Sequence, residues 1–203
     1  MTQNAPARST VYTLGHSNHT PEHFIELLKA HAIGVLADVR SQPYSKYAVD
    51  YNVEALKRTL DAHGIQYLFL GQELGGRPPE PEYYDAEGYV RYDRVAASKR
   101  FQDGVERLLQ GLARFRVALM CSEEEPASCH RRLLIARVLA ERGVEVLHIR
   151  GDGRLRTEAE VREDEVPAGE RGQGLLFEVQ ETPPWRSAQS VSPERAPRNS
   201  SGP

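Results

Sequence analysis

Two cysteines, Cys121 and Cys129, are all the sequence has. That number rules out a disulfide framework and fits a reducing compartment in which thiols stay free. No run of eighteen apolar residues occurs, and Met1 to Ser9 lacks the hydrophobic segment of a secretory signal, so the chain is expected in the cytoplasm with no membrane partner. Neither sign of charge dominates. The 29 acidic and 26 basic side chains leave a formal charge of −3, so no long-range basic field points to bulk nucleic acid, and net charge does not indicate a nucleic-acid partner. There is no internal repeat and no heptad array. What is present is 203 residues, 39% of them hydrophobic, enough for one domain with a substantial core and with tails to spare.

Five short apolar runs rich in β-branched residues alternate with helical patterns: Val11 to Leu14, Val35 to Val39, Tyr67 to Leu70, Val117 to Met120 and Val144 to Ile149. That alternation predicts a three-layer α/β sandwich around a five-stranded, mainly parallel, Rossmann-like sheet. Right-handed crossovers predict the strand order third, second, first, fourth, fifth. Thr20 and Pro21 read as an N-cap and first helical residue, with Phe24, Leu27, Leu28 and Ile33 forming the buried stripe. A second helix is expected from about Asn52 to Ala62, a third from Phe101 to Phe115 and a fourth from Ser128 to Arg142. Gly71 to Tyr84 reads as a long loop because of its glycines and prolines.

Beyond Arg150 the chain turns charged and Gly-rich, with a short helix expected near Glu158 to Glu163 and an edge strand at Leu175 to Val179. The division expected is a disordered stretch over 1–9, one α/β domain over 10–180 and a disordered Pro/Ser/Arg-rich tail over 181–203. Truncation after Val179 is accordingly expected to change stability little.

Loops leaving the carboxyl ends of parallel strands gather on one edge, where ligands bind at a reversal of strand order. The sequence loads that edge with polar groups. Gly15, His16, Ser17 and Asn18 follow the first strand, Asp38 and Arg40 end the second, and Gly75 and Gly76 follow the third. The fourth is followed by Cys121, Glu123, Glu124, Glu125, Cys129, His130 and Arg131. Helix phase carries the apolar stripe of Leu134 and Val138 back to His130, and that of Ile135 and Leu139 back to Arg131. A cation so placed at a helix start needs an anion, supplied by the protein or by a ligand.

These four motifs, in this order, resemble the bacterial family called domain of unknown function 488, over roughly Val11 to Ile149. The resemblance implies no catalytic residue of its own.

Three functions fit the edge. The first is an enzyme on a phosphate-bearing small molecule, nucleotide or nucleic-acid end: Arg40 and Arg131 clamp the anion, the Gly15–Asn18 amides add donors, and Asp38 or Glu123 works as general acid or base, beside His130. The second is a thiol enzyme of sulfurtransferase type using Cys121. The third is a non-catalytic anion sensor. Cys121 stands where thiol nucleophiles stand, after a strand and before a helix, but the arginine six residues on that phosphatase loops use is Ala127 here, and the following glutamates are expected to raise its pKa, so a buried structural thiol is the leading reading of it. Cys129 begins a helix, whose dipole lowers a thiol pKa, but a small residue packing at a helix start is the commoner reason for a cysteine there. No cofactor and no metal are expected: the spacing of Cys121, Cys129, His130 and His16 matches no zinc-ribbon or finger pattern. Asp38 and Arg40 alternate along a strand and so share a face, as an ion pair or as a site, while Gly75 and Gly76 suit either a plain turn or a backbone close to a ligand. The sequence leaves oligomeric state open.

Overall fold

A computed structural model describes residues 9–165 and 185–191 of the chain. Six strands form one sheet: β1 (Thr10–Gly15), β2 (Val35–Asp38), β3 (Gln66–Phe69), β4 (Val117–Cys121), β5 (Glu145–Ile149) and β6 (Leu155–Thr157). The first five are parallel, and β6 adds an antiparallel edge. All five apolar runs are strands, and β2 and β4, buried at every residue, show why: burial on both faces of a parallel sheet demands continuous apolar sequence.

Their order is β3-β2-β4-β1-β5-β6, which corrects the expected one. The expected order kept β2 next to β1; instead β4 lies between them, pairing Ala118 with Tyr12 on one side and with Leu36 on the other. Both orders obey right-handed crossover, and alternation alone does not say which strand a crossover steps over. The sixth strand arises because β5 folds back through Gly151–Gly153, with Gly153 at a positive φ that glycine adopts freely.

Helices cover both faces. On one lie α1 (Pro21–Ala30) and α2 (Val53–Asp61), packing Phe24, Leu28, Leu56 and Leu60 against Leu14, Leu36, Ala118 and Met120. On the other lie α3 (Gly71–Leu74), α4 (Tyr92–Ala97), α5 (Lys99–Leu112) and α6 (Arg137–Glu141), where Leu74, Val95, Phe101 and Val138 meet Val11, Val39, Val117 and Leu119. Alternate residues of β4 thus feed alternate faces. The last helix among the described residues, α7 (Glu158–Glu165), starts where the short helix was expected.

Thr20 caps α1 by accepting a bond from the His23 amide at 3.3 Å, with Pro21 following as read. Three segments differ from expectation. The stretch Gly71 to Tyr84 is not all loop, since α3 starts directly at Gly71. The third expected helix is α5, and a short helix the sequence did not suggest, α4, precedes it, Ser98 ending α4 and capping α5 through the Phe101 amide. The fourth helix opens as a π-helix (Arg131–Ala136) before α6, with the Arg137 amide reaching back to the Arg132 carbonyl. Leu175 to Val179, the expected edge strand, lies outside the described residues, as do residues 1–8. No helix among the described residues is long and apolar enough to cross a membrane.

Within the tail expected to be disordered, residues 185–191 lie against the domain. Ser187 N–H donates to the Val90 carbonyl at 2.9 Å, Val191 N–H to the Gly88 carbonyl at 2.8 Å, and the Tyr92 amide to the Trp185 carbonyl at 2.9 Å. The Trp185 indole N–H donates to the Leu133 carbonyl at 2.6 Å, while the Arg137 guanidinium sits 4.2 Å over the ring. One aromatic anchor outweighs an otherwise polar composition. Trp185→Ala should therefore cost about 2 kcal/mol, below the roughly 3–5 kcal/mol of a fully buried tryptophan because the ring is only partly covered. Thermal unfolding would read this as a midpoint lower by roughly 4–8 °C for a domain of this size. A midpoint unchanged within a degree, for this variant and for a chain ended after Val179, would mean that the segment adds nothing.

Candidate active site

At the carboxyl edge, β1 and β4 lie side by side while their following helices leave on opposite faces of the sheet. A crevice is expected there, but backbone fills it. The loop after β4 folds across Gly15 so closely that a Cβ on Gly15 would stand 1.9 Å from the Glu123 carbonyl oxygen. Arg131, 1% exposed, braces that loop from beneath, donating to the carbonyls of Glu123 and, at 2.7 Å, Glu124. Its Nε has no partner among the described residues.

The loop acts as a partition with a cavity on each side. Arg150, Gly151, Arg156, Ser17 and Asn18 help line one of about 630 Å³. The other, of about 540 Å³, has Cys121, Glu123, His130, Arg40, Arg77 and Tyr92 among its lining residues, with Ser187 to Gln189 contributing a wall. This second cleft holds the reactive groups.

Cys121 ends β4 and projects to the α5/α6 side of the sheet, following the phase of Val117 and Leu119. Its Sγ lies 3.6 Å from His130 Nδ1, and Cys129 Sγ lies 3.9 Å from the same nitrogen. The other ring nitrogen of His130, Nε2, is 3.0 Å from the Val39 carbonyl. A carbonyl only accepts, so Nε2 carries the proton and Nδ1 presents its lone pair to the sulfurs. Gly76 lets the ring sit there: a Cβ at residue 76 would come within 2.5 Å of His130 Cγ. This close approach explains one glycine of the Gly75-Gly76 pair. Gly75 packs on Ser41 and the Gly71 carbonyl.

The bond from Cys129 does most to hold the Cys121 thiol below its ordinary pKa; burial opposes this and the Arg131 charge assists. The glutamates were expected to raise it. Only Glu123 does so, and weakly, because Glu124 turns away to His19 and the Gly151 amide, and Glu125 to Arg150. Cys129 fits the packing reading: it is fully buried, and burial lifts its pKa well above the ordinary value and overrides any helix dipole.

Asp38 and Arg40 form a buried bidentate pair, with Nε to Oδ1 at 2.9 Å and Nη2 to Oδ2 at 2.7 Å. Tyr67 adds its hydroxyl to Asp38 at 2.9 Å, and Arg40 also donates to the Tyr51 carbonyl at 2.8 Å. Asp38 is fully buried and is absent from the residues lining the cleft, whereas Arg40 keeps a place there. His16 stands behind Arg40, stacked on Tyr51 at 4.2 Å, accepting from Arg40 through Nε2 while Nδ1 faces the Ser17 carbonyl. Of the residues singled out in the sequence, Cys121, Glu123, His130, Arg40 and Gly76 therefore meet in the cleft. Asp38 and His16 support it from behind, Ser17 and Asn18 face the neighbouring cavity, and Arg131 is committed to loop carbonyls. Sequence reasoning passed over Tyr51, Tyr67 and the 185–191 wall; the only tryptophan of the chain, set in a polar tail, was the available signal for the last.

His16 makes stability pH-dependent. Burial, and then the Arg40 charge, lower its pKa from 6.5 to about 4. The unfolded chain thus takes up a proton that the folded chain refuses. Stability from this group is complete above about pH 6.5 and falls as pH drops toward 4, by about 3 kcal/mol in all. Urea unfolding of wild type and His16→Gln at pH 7 and pH 4.5 should show a smaller acid loss in the variant. Equal losses would mean that His16 does not drive the change.

The fold is an open, mostly parallel α/β sheet with Cys121 and His130 side by side at its carboxyl edge. The chain belongs to the family described as Domain of unknown function DUF488, whose model matches residues 20–138. No curated protein and no solved structure matches it.

Proposed function

We propose that this chain is a thiol-dependent enzyme that transfers a group from a small anionic substrate through Cys121. The observation that carries the reading is the Cys121 Sγ to His130 Nδ1 approach of 3.6 Å, made on the lining of a cleft large enough for a small molecule. Cys121 attacks the electrophilic centre and forms the new sulfur bond. Its proton passes to Nδ1 and then to the departing group. The Val39 carbonyl keeps the imidazole in the tautomer that accepts this proton. Arg77, exposed at the cleft and free of any ion pair among the described residues, supports selection of an anion, whereas the Arg40 charge is already opposed by Asp38.

Alkylation of metal-free protein at neutral pH, resolved by residue, tests this. Iodoacetamide should modify Cys121 and spare Cys129, and His130→Asn should slow the reaction roughly 100-fold, at the low end of general-base effects. The anionic reagent iodoacetate should lose rate in Arg77→Ala while iodoacetamide does not. Equal Cys121 rates in wild type and His130→Asn would overturn the reading.

A further inference from the structure

The same corner of the cleft holds an arrangement that nucleophilic chemistry does not need. Cys121 Sγ, Cys129 Sγ and His130 Nδ1 all lie within 4.8 Å of one another. A tetrahedral ion with zinc–sulfur bonds of about 2.3 Å and zinc–nitrogen bonds of about 2.0–2.1 Å separates its donors by roughly 3.5 to 3.8 Å. The nitrogen–sulfur separations here are 3.6 and 3.9 Å, so little rearrangement is required. The His130 ring is already held from outside by the Val39 carbonyl, the kind of partner that orients metal-binding histidines. Two thiolates and an imidazole are soft to borderline donors, unsuited to magnesium or calcium and suited to zinc.

Cys129 is fully buried, while Cys121 and His130 line the cleft. The three donors therefore approach from the protein side and leave the fourth position toward the cavity, the pattern of an open rather than a closed zinc site. We infer that Cys121, Cys129 and His130 form a binding site for a zinc-class divalent cation, and that occupancy withdraws Cys121 from its role as nucleophile. Binding converts two thiols into two metal-held thiolates and releases two protons. The regulatory half of this inference rests on Cys121 being the reactive thiol; the binding half does not.

Titration of the metal-free full chain with Co²⁺ separates the two. One equivalent should produce thiolate-to-cobalt charge transfer and the intense visible bands of a tetrahedral ion, and Zn²⁺ should abolish both with the same stoichiometry. Cys129→Ser should weaken binding by more than the about 10–100-fold that loss of an outer partner costs. His130→Gln should do likewise and keeps the test open if replacement of a fully buried thiol disturbs folding. In wild type, one equivalent of Zn²⁺ should suppress alkylation of Cys121, and chelation should restore it. The absence of tetrahedral bands, or bands unchanged in both variants, overturns the site. Bands accompanied by undiminished alkylation under Zn²⁺ overturn the regulation. Bands in a protein whose metal-free Cys121 is inert leave the site standing and remove the nucleophile reading instead.

Discussion

Asp38→Ala should lower stability by about 3–5 kcal/mol, the cost of leaving a buried charge without its partner. The carboxylate is fully buried and takes two bonds from the Arg40 guanidinium, one from the Arg40 amide and one from Tyr67. Removing it strands a guanidinium that is 5% exposed, with only the Tyr51 carbonyl and His16 for company. Replacing both partners together, Asp38→Leu with Arg40→Met, should cost less than the single change, because no bare charge is left in the interior. Urea denaturation with an unchanged slope would measure the difference. A single-variant loss under 1 kcal/mol, or a double variant worse than the single, would show that the pair is hydrated or replaceable.

For Arg131→Met we expect about 3 kcal/mol of destabilisation with little change in anion affinity. Two bonds from a charged donor are worth roughly 1.5–3 kcal/mol each, offset in part by relief of the Nε that has no partner among the described residues. From sequence, the same residue reads as half of an anion clamp, in which case its removal would weaken ligand binding and spare the fold. Calorimetric titration with sulfate and with a nucleoside monophosphate, set beside thermal unfolding, discriminates. Arg77→Ala should reverse the pattern, losing affinity and keeping stability. If Arg131→Met loses affinity at full stability, the guanidinium reaches the ligand after all.

How the two arginines divide their tasks marks where sequence reasoning ran out. The five parallel strands were legible because a parallel sheet needs apolar runs, and so was the loading of one edge with polar residues; the antiparallel β6 was not. The family was legible from four short motifs, and the chain belongs to it. The place of β4 between β2 and β1 was not, since it depends on which neighbour a helical crossover spans. Periodicity placed Arg131 on the buried side of its helix, as found, but it could not say that backbone carbonyls rather than a ligand would meet the charge. Nor does composition report orientation: Glu123, Glu124 and Glu125 are consecutive, yet only Glu123 faces the cleft. Composition does not single out residues 185–191 within the tail, because a stretch-wide average hides a single tryptophan.

The π-helix over Arg131–Ala136 has a consequence for length variation. Its extra backbone per turn lets adjacent side chains serve different neighbours, Arg131 the β4 loop and Arg132 the carboxylate of Glu158 at 2.8 Å. Deleting one residue within it would heal the helix into ordinary α geometry, a locally favourable change. Because the extra residue is taken up within the widened turns, the deletion would leave the helix upstream nearly in phase with Leu139 and α6. Cys129 and His130 would keep their place at the cleft, whereas Arg131 and Arg132 would no longer be splayed apart, so the defect bears on the bracing of the β4 loop and on the tie to Glu158 rather than on the sulfur and imidazole themselves.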